Sequence, residues 1–201
     1  MRQSLALKSG WFTVQARTTI QAPVERVWSI LTDLEKYREW NSFVPSMLSD
    51  FQVGSLLTMR VQMRENFMTT SVETITAIEP EHLLAWKTRP PAWLLHGERF
   101  QELKPIDTGI TEYFTYETFT GLFAPVLQFM YARDLQHGFD AVARDLKVRA
   151  ETVERRNSVN EMYSGRADQA GRIGKPGKQS RFPGIYFRLS IPMNLPAVPD
   201  W

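Results

Sequence analysis

Arg99 and Glu117 stand at equal distances from a three-residue break, Asp107-Thr108-Gly109, that separates two runs of alternating side chains. Such a break suits a short hairpin loop ending in a glycine with left-handed backbone. Pairing Ile106 with Ile110 across it sets Leu103 opposite Tyr113, Gln101 opposite Thr115, Arg99 opposite Glu117 and Gly97 opposite Phe119, all on one face. The other face pairs Lys104 with Glu112, Glu102 with Phe114, Phe100 with Tyr116 and Glu98 with Thr118. It is the more highly charged and is expected to be wet, which turns Arg99 and Glu117 inward. In apolar surroundings a carboxylate has its proton affinity raised by desolvation and lowered by a neighbouring arginine, which can poise it as a base. The guanidinium can stabilise a developing enolate or phenolate oxygen, with Tyr113 donating a hydrogen bond. That chemistry suits aldol cyclisation, dehydration or decarboxylation without a cofactor. The alternative is a cross-strand salt bridge that satisfies two charges and does nothing more, and a slip of one residue would reverse the faces.

Other chemical patterns are missing. There is no HExxH, no GxSxG and no complete Walker loop. The spacing Gly171-x-x-Gly174-x-x-Gly177 follows no expected strand and lacks the Lys-Ser/Thr ending of a phosphate cradle. His82, His96 and His137 lie far apart with no carboxylate at ligand spacing, so no metal site is expected. His82 falls in a turn, His137 lies off the apolar stripe of the last helix, and His96 is either a base at a cavity mouth or a loop residue. The absence of Cys removes a disulfide framework, a thiolate zinc site, an Fe–S cluster and a Cys nucleophile.

A chain of 201 residues, 43% hydrophobic, is long enough to bury a core without staples. No apolar run approaches the roughly 18 residues of a membrane span, and a cytoplasmic protein is expected. The net charge of +2 is unevenly distributed: residues 1–154 carry 16 basic and 19 acidic side chains, whereas 155–181 carry 7 and 2. The second stretch also holds four of the eleven glycines and no apolar period, so 155–181 reads as a flexible basic linker. Its basic residues are scattered and lack interleaved aromatics, so no nucleic acid is expected as partner. Residues 182–201 become apolar again but contain Pro183, Pro192, Pro196 and Pro199, which exclude a helix through most of them. That tail either docks as an extended segment or stays loose.

The elements that would hold the pair fall within residues 1–154. Phe12, Val14, Ala16, Thr18 and Ile20 alternate as in a half-buried strand. Pro23 opens a helix with Val24, Val27, Trp28 and Leu31 on one face, and Asp33 can cap a second short helix carrying Leu34, Tyr37 and Trp40. Strand signals then run from Met47 to Thr120, divided by turn markers such as Asp50 to Gly54, Arg64 to Asn66 and Asp107 to Gly109. After Gly121 and Pro125, a long helix carries a stripe that includes Leu127, Tyr131, Leu135, Phe139, Val142 and Leu146. A single antiparallel sheet of that extent must curl and bury its apolar face on this helix, giving an α+β fold.

The stretch Ile20-x-Ala22-Pro23-x-Glu25-x-Val27-Trp28-x-x-Leu31-x-Asp33, followed by Tyr37-x-x-Trp40-Asn41-x-Phe43, resembles the opening of the START-related SRPBCC proteins, particularly their polyketide cyclase/dehydrase-like branch. Leu84-x-Trp86, Gly97-Glu98-Arg99 and Glu117-x-Phe119-x-Gly121 are similar to its later landmarks, and the resemblance covers about residues 11–154. It implies a helix-grip fold, in which a curved antiparallel sheet of about six to seven strands wraps around the long C-terminal helix and leaves an apolar cavity between them. The wall of that cavity is expected to include Met59, Val61, Met63 and Trp86 from the early strands, together with Leu57 and Leu84. Thr115 and Phe119 of the last strand and Leu127, Tyr131 and Leu135 of the helix complete the expected ligand contacts. Glu117, Arg99 and Tyr113 are the expected catalytic residues. The resemblance fits a cyclase or dehydratase of secondary metabolism acting on an apolar, polyketide-like molecule. The alternative is a non-catalytic carrier of a lipid, an isoprenoid or a small metabolite, because this fold hosts both. A chaperone-like role is a third reading, and the oligomeric state is left open.

Overall fold

A computed structural model of the chain describes residues 12–89 and 91–172, with side chains as far as residue 152. The alternation from Phe12 forms strand β1 (Phe12–Ile20), whose Phe12, Val14, Ala16 and Ile20 are buried. Pro23 then accepts hydrogen bonds from the N–H groups of Arg26 and Val27 and opens helix α1 (Val24–Thr32), with Val24, Val27 and Leu31 buried. Asp33 precedes a single 3-10 turn, Leu34–Lys36, but pairs its carboxylate with Lys36 instead of capping the backbone. Helix α2 (Tyr37–Trp40) buries Tyr37 and Trp40. Six strands follow: β2 (Ser46–Leu48), β3 (Leu56–Arg64), β4 (Phe67–Glu79), β5 (Leu83–Thr88), β6 (His96–Asp107) and β7 (Ile110–Thr120). Helix α3 spans Ala124–Arg172.

The seven strands form one antiparallel sheet in the order β1-β7-β6-β5-β4-β3-β2. It is curved, and with the long C-terminal helix it makes the expected helix-grip fold. Leu135, Phe139, Val142, Ala143, Leu146 and Ala150 of α3 belong to the same buried cluster as the inward residues of the strands. Polar ties fix the helix across the sheet: Lys147 Nζ donates to the Thr19 carbonyl at 2.6 Å, and Gln136 Nε2 donates to the Gln15 carbonyl at 2.8 Å. Gly138 of α3 leaves the space that the Phe43 ring occupies. Gly121, at φ 100°, turns the chain from β7 into α3 against the Leu94 backbone, 3.0 Å from where a Cβ would stand.

The β6–β7 register pairs Arg99 with Glu117, Gln101 with Thr115 and Leu103 with Tyr113, as the hairpin reading required. The turn itself is tighter than expected. Asp107 pairs with Ile110, and Ile106 is bulged out between Pro105 and Asp107, which absorbs the extra residue without moving the rest of the register. The outer face of this hairpin is not simply wet. Phe100 stacks on Tyr116 at 5.0 Å, and the Arg17 guanidinium lies 4.2 Å over the Phe114 ring.

The helix also departs from expectation at its far end. A linker was expected from Arg155, but α3 runs on to Arg172, through Gly165 and past Gly171. The chain divides into two units, Met1–Glu161 and Met162–Trp201. Residues 173–201, including the apolar tail from Phe182, lie outside the described residues.

Candidate functional site

Inward-facing side chains of β3 to β7 and of α3 line a cavity of about 370 Å³ that is open to solvent past Phe67, Thr69 and Thr70. Its apolar wall includes Met59, Val61, Met63 and Trp86 from the sheet, together with Phe119 of β7 and Leu127, Tyr131 and Leu135 of α3. All eight were expected as ligand contacts. Leu57 and Leu84 are buried in the core behind this wall and do not line it.

Three charged side chains interrupt the wall: Arg99, Glu117 and Glu73, exposed by only 5%, 8% and 6%. Their positions follow from two neighbouring rows across the sheet. One row runs Ile75, Trp86, Arg99, Glu117 and Val14, and the next runs Glu73, Thr88, Gly97 and Phe119. Gly97 in the second row has no side chain, and the Glu117 carboxylate fills that gap, its Oε1 2.7 Å from where a Cβ would stand. Thr88 accepts the Gly97 N–H at 2.9 Å and so holds the two strands together at this point.

The arginine is held from below and from both sides. Its Nε donates to Thr115 Oγ1 at 3.3 Å, its guanidinium carbon lies 4.1 Å from the centre of the Phe139 ring, and Trp86 flanks it at 5.5 Å. The expected charge pair therefore needs correction. Arg99 and Glu117 are cross-strand partners on the cavity face, but they form no ion pair, because the guanidinium reaches under α3 while the carboxylate turns over Gly97. Two further expectations change with it. The Tyr113 hydroxyl is fully buried and donates to Gln101 Oε1 at 2.6 Å, away from the cavity wall, so it is not placed to donate to a ligand. Thr115 is likewise buried behind the wall, where it holds Arg99 and donates to the Phe100 carbonyl at 3.0 Å.

Electrostatics sets the carboxyl groups apart. Burial, and then the neighbouring Glu73 charge, push the Glu117 carboxyl up to about 8, with Arg99 acting in the opposite direction. Burial also pushes Glu73 up, opposed by a hydrogen bond from Ser71 and by Arg99. The three histidines stand outside this arrangement. His82 pairs with Glu79 at 2.7 Å on the surface, His137 is exposed, and His96 does not line the cavity. Among the described residues no cluster of His, Asp or Glu has the grouping of a metal site, and none of their helices is long and apolar enough to cross a membrane.

Glu73 had no place in the sequence reading. Its parity matches Ile75, which is buried, but a bulge between Ile75 and Ala77 shifts the register, so alternation counted back from Ile78 puts Glu73 on the wrong face. Only the parity of the Ser71-Val72-Glu73-Thr74-Ile75 segment taken alone carries the signal.

A family model described as polyketide cyclase / dehydrase and lipid transport matches residues 12–151. Among curated proteins, oxopyrrolidines biosynthesis cluster protein O of Penicillium oxalicum is 23% identical over 169 residues, which cover 67% of this chain and 84% of that protein. The crystal structure of Zhui aromatase/cyclase from Streptomyces sp. R1128 is similar in fold, with a TM-score of 0.59 at 16% identity over 70% of this chain and 93% of that one. A START superfamily protein from Mycobacterium smegmatis gives a TM-score of 0.55 at 16% identity, over 70% of this chain and 98% of that one. With its cavity lying between a curved sheet and α3, and with the family's pattern running from β1 into that helix, the chain belongs to the polyketide cyclase / dehydrase and lipid transport family.

Proposed function

We propose that the cavity binds a small apolar or aromatic, polyketide-like molecule and catalyses its cyclisation or dehydration without a cofactor. The observation that carries this reading is the Glu117 carboxyl, buried in an apolar cavity with its proton affinity raised to about 8 and with Arg99 across the strand pair. A pure carrier needs only the apolar wall, and burying three charged groups in it is costly without a use for them. In this scheme Glu117 takes a proton from a carbon next to a carbonyl, and Arg99 steadies the enolate oxygen. The enolate carbon attacks a second carbonyl of the same chain, and Glu117 returns its proton to the resulting alkoxide; the freed carboxylate then takes the second proton from the same carbon and passes it to the departing hydroxyl, which leaves as water. Thr115, Phe139 and Trp86 keep the guanidinium fixed while charge develops, which is how a preorganised donor contributes.

The experiment is native mass spectrometry of the full chain and of Glu117→Gln, each recovered from the same cells. The expected result is that the variant retains an apolar molecule heavier by one water than the one held by the unaltered chain. The same molecule in both, at the same occupancy, would instead establish a non-catalytic carrier.

A further inference from the structure

One buried acceptor in this cavity has no donor, and a second carboxyl lies beside it. Glu73 Oε1 accepts from Ser71 Oγ at 2.8 Å, but its Oε2 is buried without a partner. The Glu117 carboxylate receives no hydrogen bond from any described residue and lies over the space left by Gly97. Both line the same cavity as Arg99, whose Nε is already taken by Thr115 and whose planar face lies against the Phe139 ring. A desolvated acceptor such as Glu73 Oε2 is costly until something donates to it.

We infer that the cavity selects apolar ligands that carry a neutral hydroxyl donor, with Glu73 and Glu117 as its acceptors, and that it turns away ligands ending in a carboxylate. This rests on the reading of the cavity as a ligand site and adds its polarity. A hydroxyl that reaches Glu73 Oε2 supplies the missing donor, and a site built around such a bond rejects an analogue lacking it more strongly than an apolar wall rejects a change of size. Above about pH 8, where Glu117 is ionised, a ligand carboxylate brings a further negative group to carboxyls that share one guanidinium, and like charges at such range oppose binding. Glu73 thereby becomes a specificity residue for the site, and Ser71 and Gly97 become its supports. The first fixes one carboxylate oxygen of Glu73, and the second leaves room for Glu117.

Three probes on one skeleton separate these effects: 2-naphthol, 2-methoxynaphthalene and 2-naphthoate, titrated calorimetrically into the full chain at about pH 8.5, above the value of about 8 at which Glu117 ionises. The expected order is 2-naphthol tighter than either of the others by roughly tenfold or more, the scale of one well-placed hydrogen bond in a dry site. In Glu73→Gln the gap between 2-naphthol and 2-naphthoate should shrink several-fold. Glu117→Gln, read in parallel, gives the same comparison if the first variant folds poorly. If 2-methoxynaphthalene or 2-naphthoate binds as tightly as 2-naphthol, the inference is overturned while the cavity remains a ligand site. If no probe binds, the two fall together.

Discussion

At the scale of single residues, Glu117 links the stability of the fold to pH. An unfolded glutamate titrates near 4.5, whereas burial raises this one to about 8. Between those values the folded chain holds a proton that the unfolded chain has lost, so folding is favoured by acid. The contribution is fully present below 4.5 and is lost as pH rises through about 8. Glu73, facing the same cavity from β4, is raised too and adds in the same direction, while Arg99 from β6 opposes both. Denaturant unfolding followed from pH 5 to pH 9 should therefore show stability falling with pH. In Glu117→Gln, which has nothing to ionise, the slope should flatten. An unchanged slope would mean that the carboxyl is solvated and the cavity wetter than its lining implies. The same residue also measures how far chemistry was legible in the chain. Glu117 and Arg99 could be found because a loop fixes their register. The absence of an ion pair could not, because it depends on Phe139 drawing the arginine toward α3 from a distant part of the sequence.

At the scale of elements, Gly138 shows how α3 is fitted to the sheet. In an exposed helix, Gly→Ala gains about 1 kcal/mol of helix propensity. Here the new methyl would stand inside the ring of Phe43, which is itself buried against Phe139 with ring centres 6.4 Å apart. Overpacking of that kind costs roughly 1–3 kcal/mol, so Gly138→Ala should lower stability despite the better helix former. Pairing it with Phe43→Leu should recover much of the loss, which a double-mutant cycle in denaturant would measure. Because Phe43 lines the cavity, the single variant should also weaken binding of an apolar probe. Local signals served the elements well where period and turn agreed, as in β1, α1 and the β6–β7 hairpin. They failed where the chain breaks its own period. The bulges in β4 and at Ile106 leave composition unchanged yet move which face a residue occupies, and Glu73 was hidden for that reason.

At the scale of the whole molecule, the apolar stripe and the helix end at different places. Every buried residue of α3 among those described lies at or before Ala150, and all seven strands lie earlier still. The helix itself continues to Arg172. The family pattern ends at residue 151, and the division between the two units falls at Glu161. These boundaries predict that a chain ending at Glu161 contains everything the fold needs, since a unit of that size can bury a self-sufficient core. Calorimetry should show one cooperative transition with a midpoint matching that of the full chain, and 2-naphthol should shift both midpoints equally. A shortened chain that unfolds broadly, or well below the full one, would mean that residues after Glu161 stabilise the sheet and α3, and that the core between them is not complete by itself.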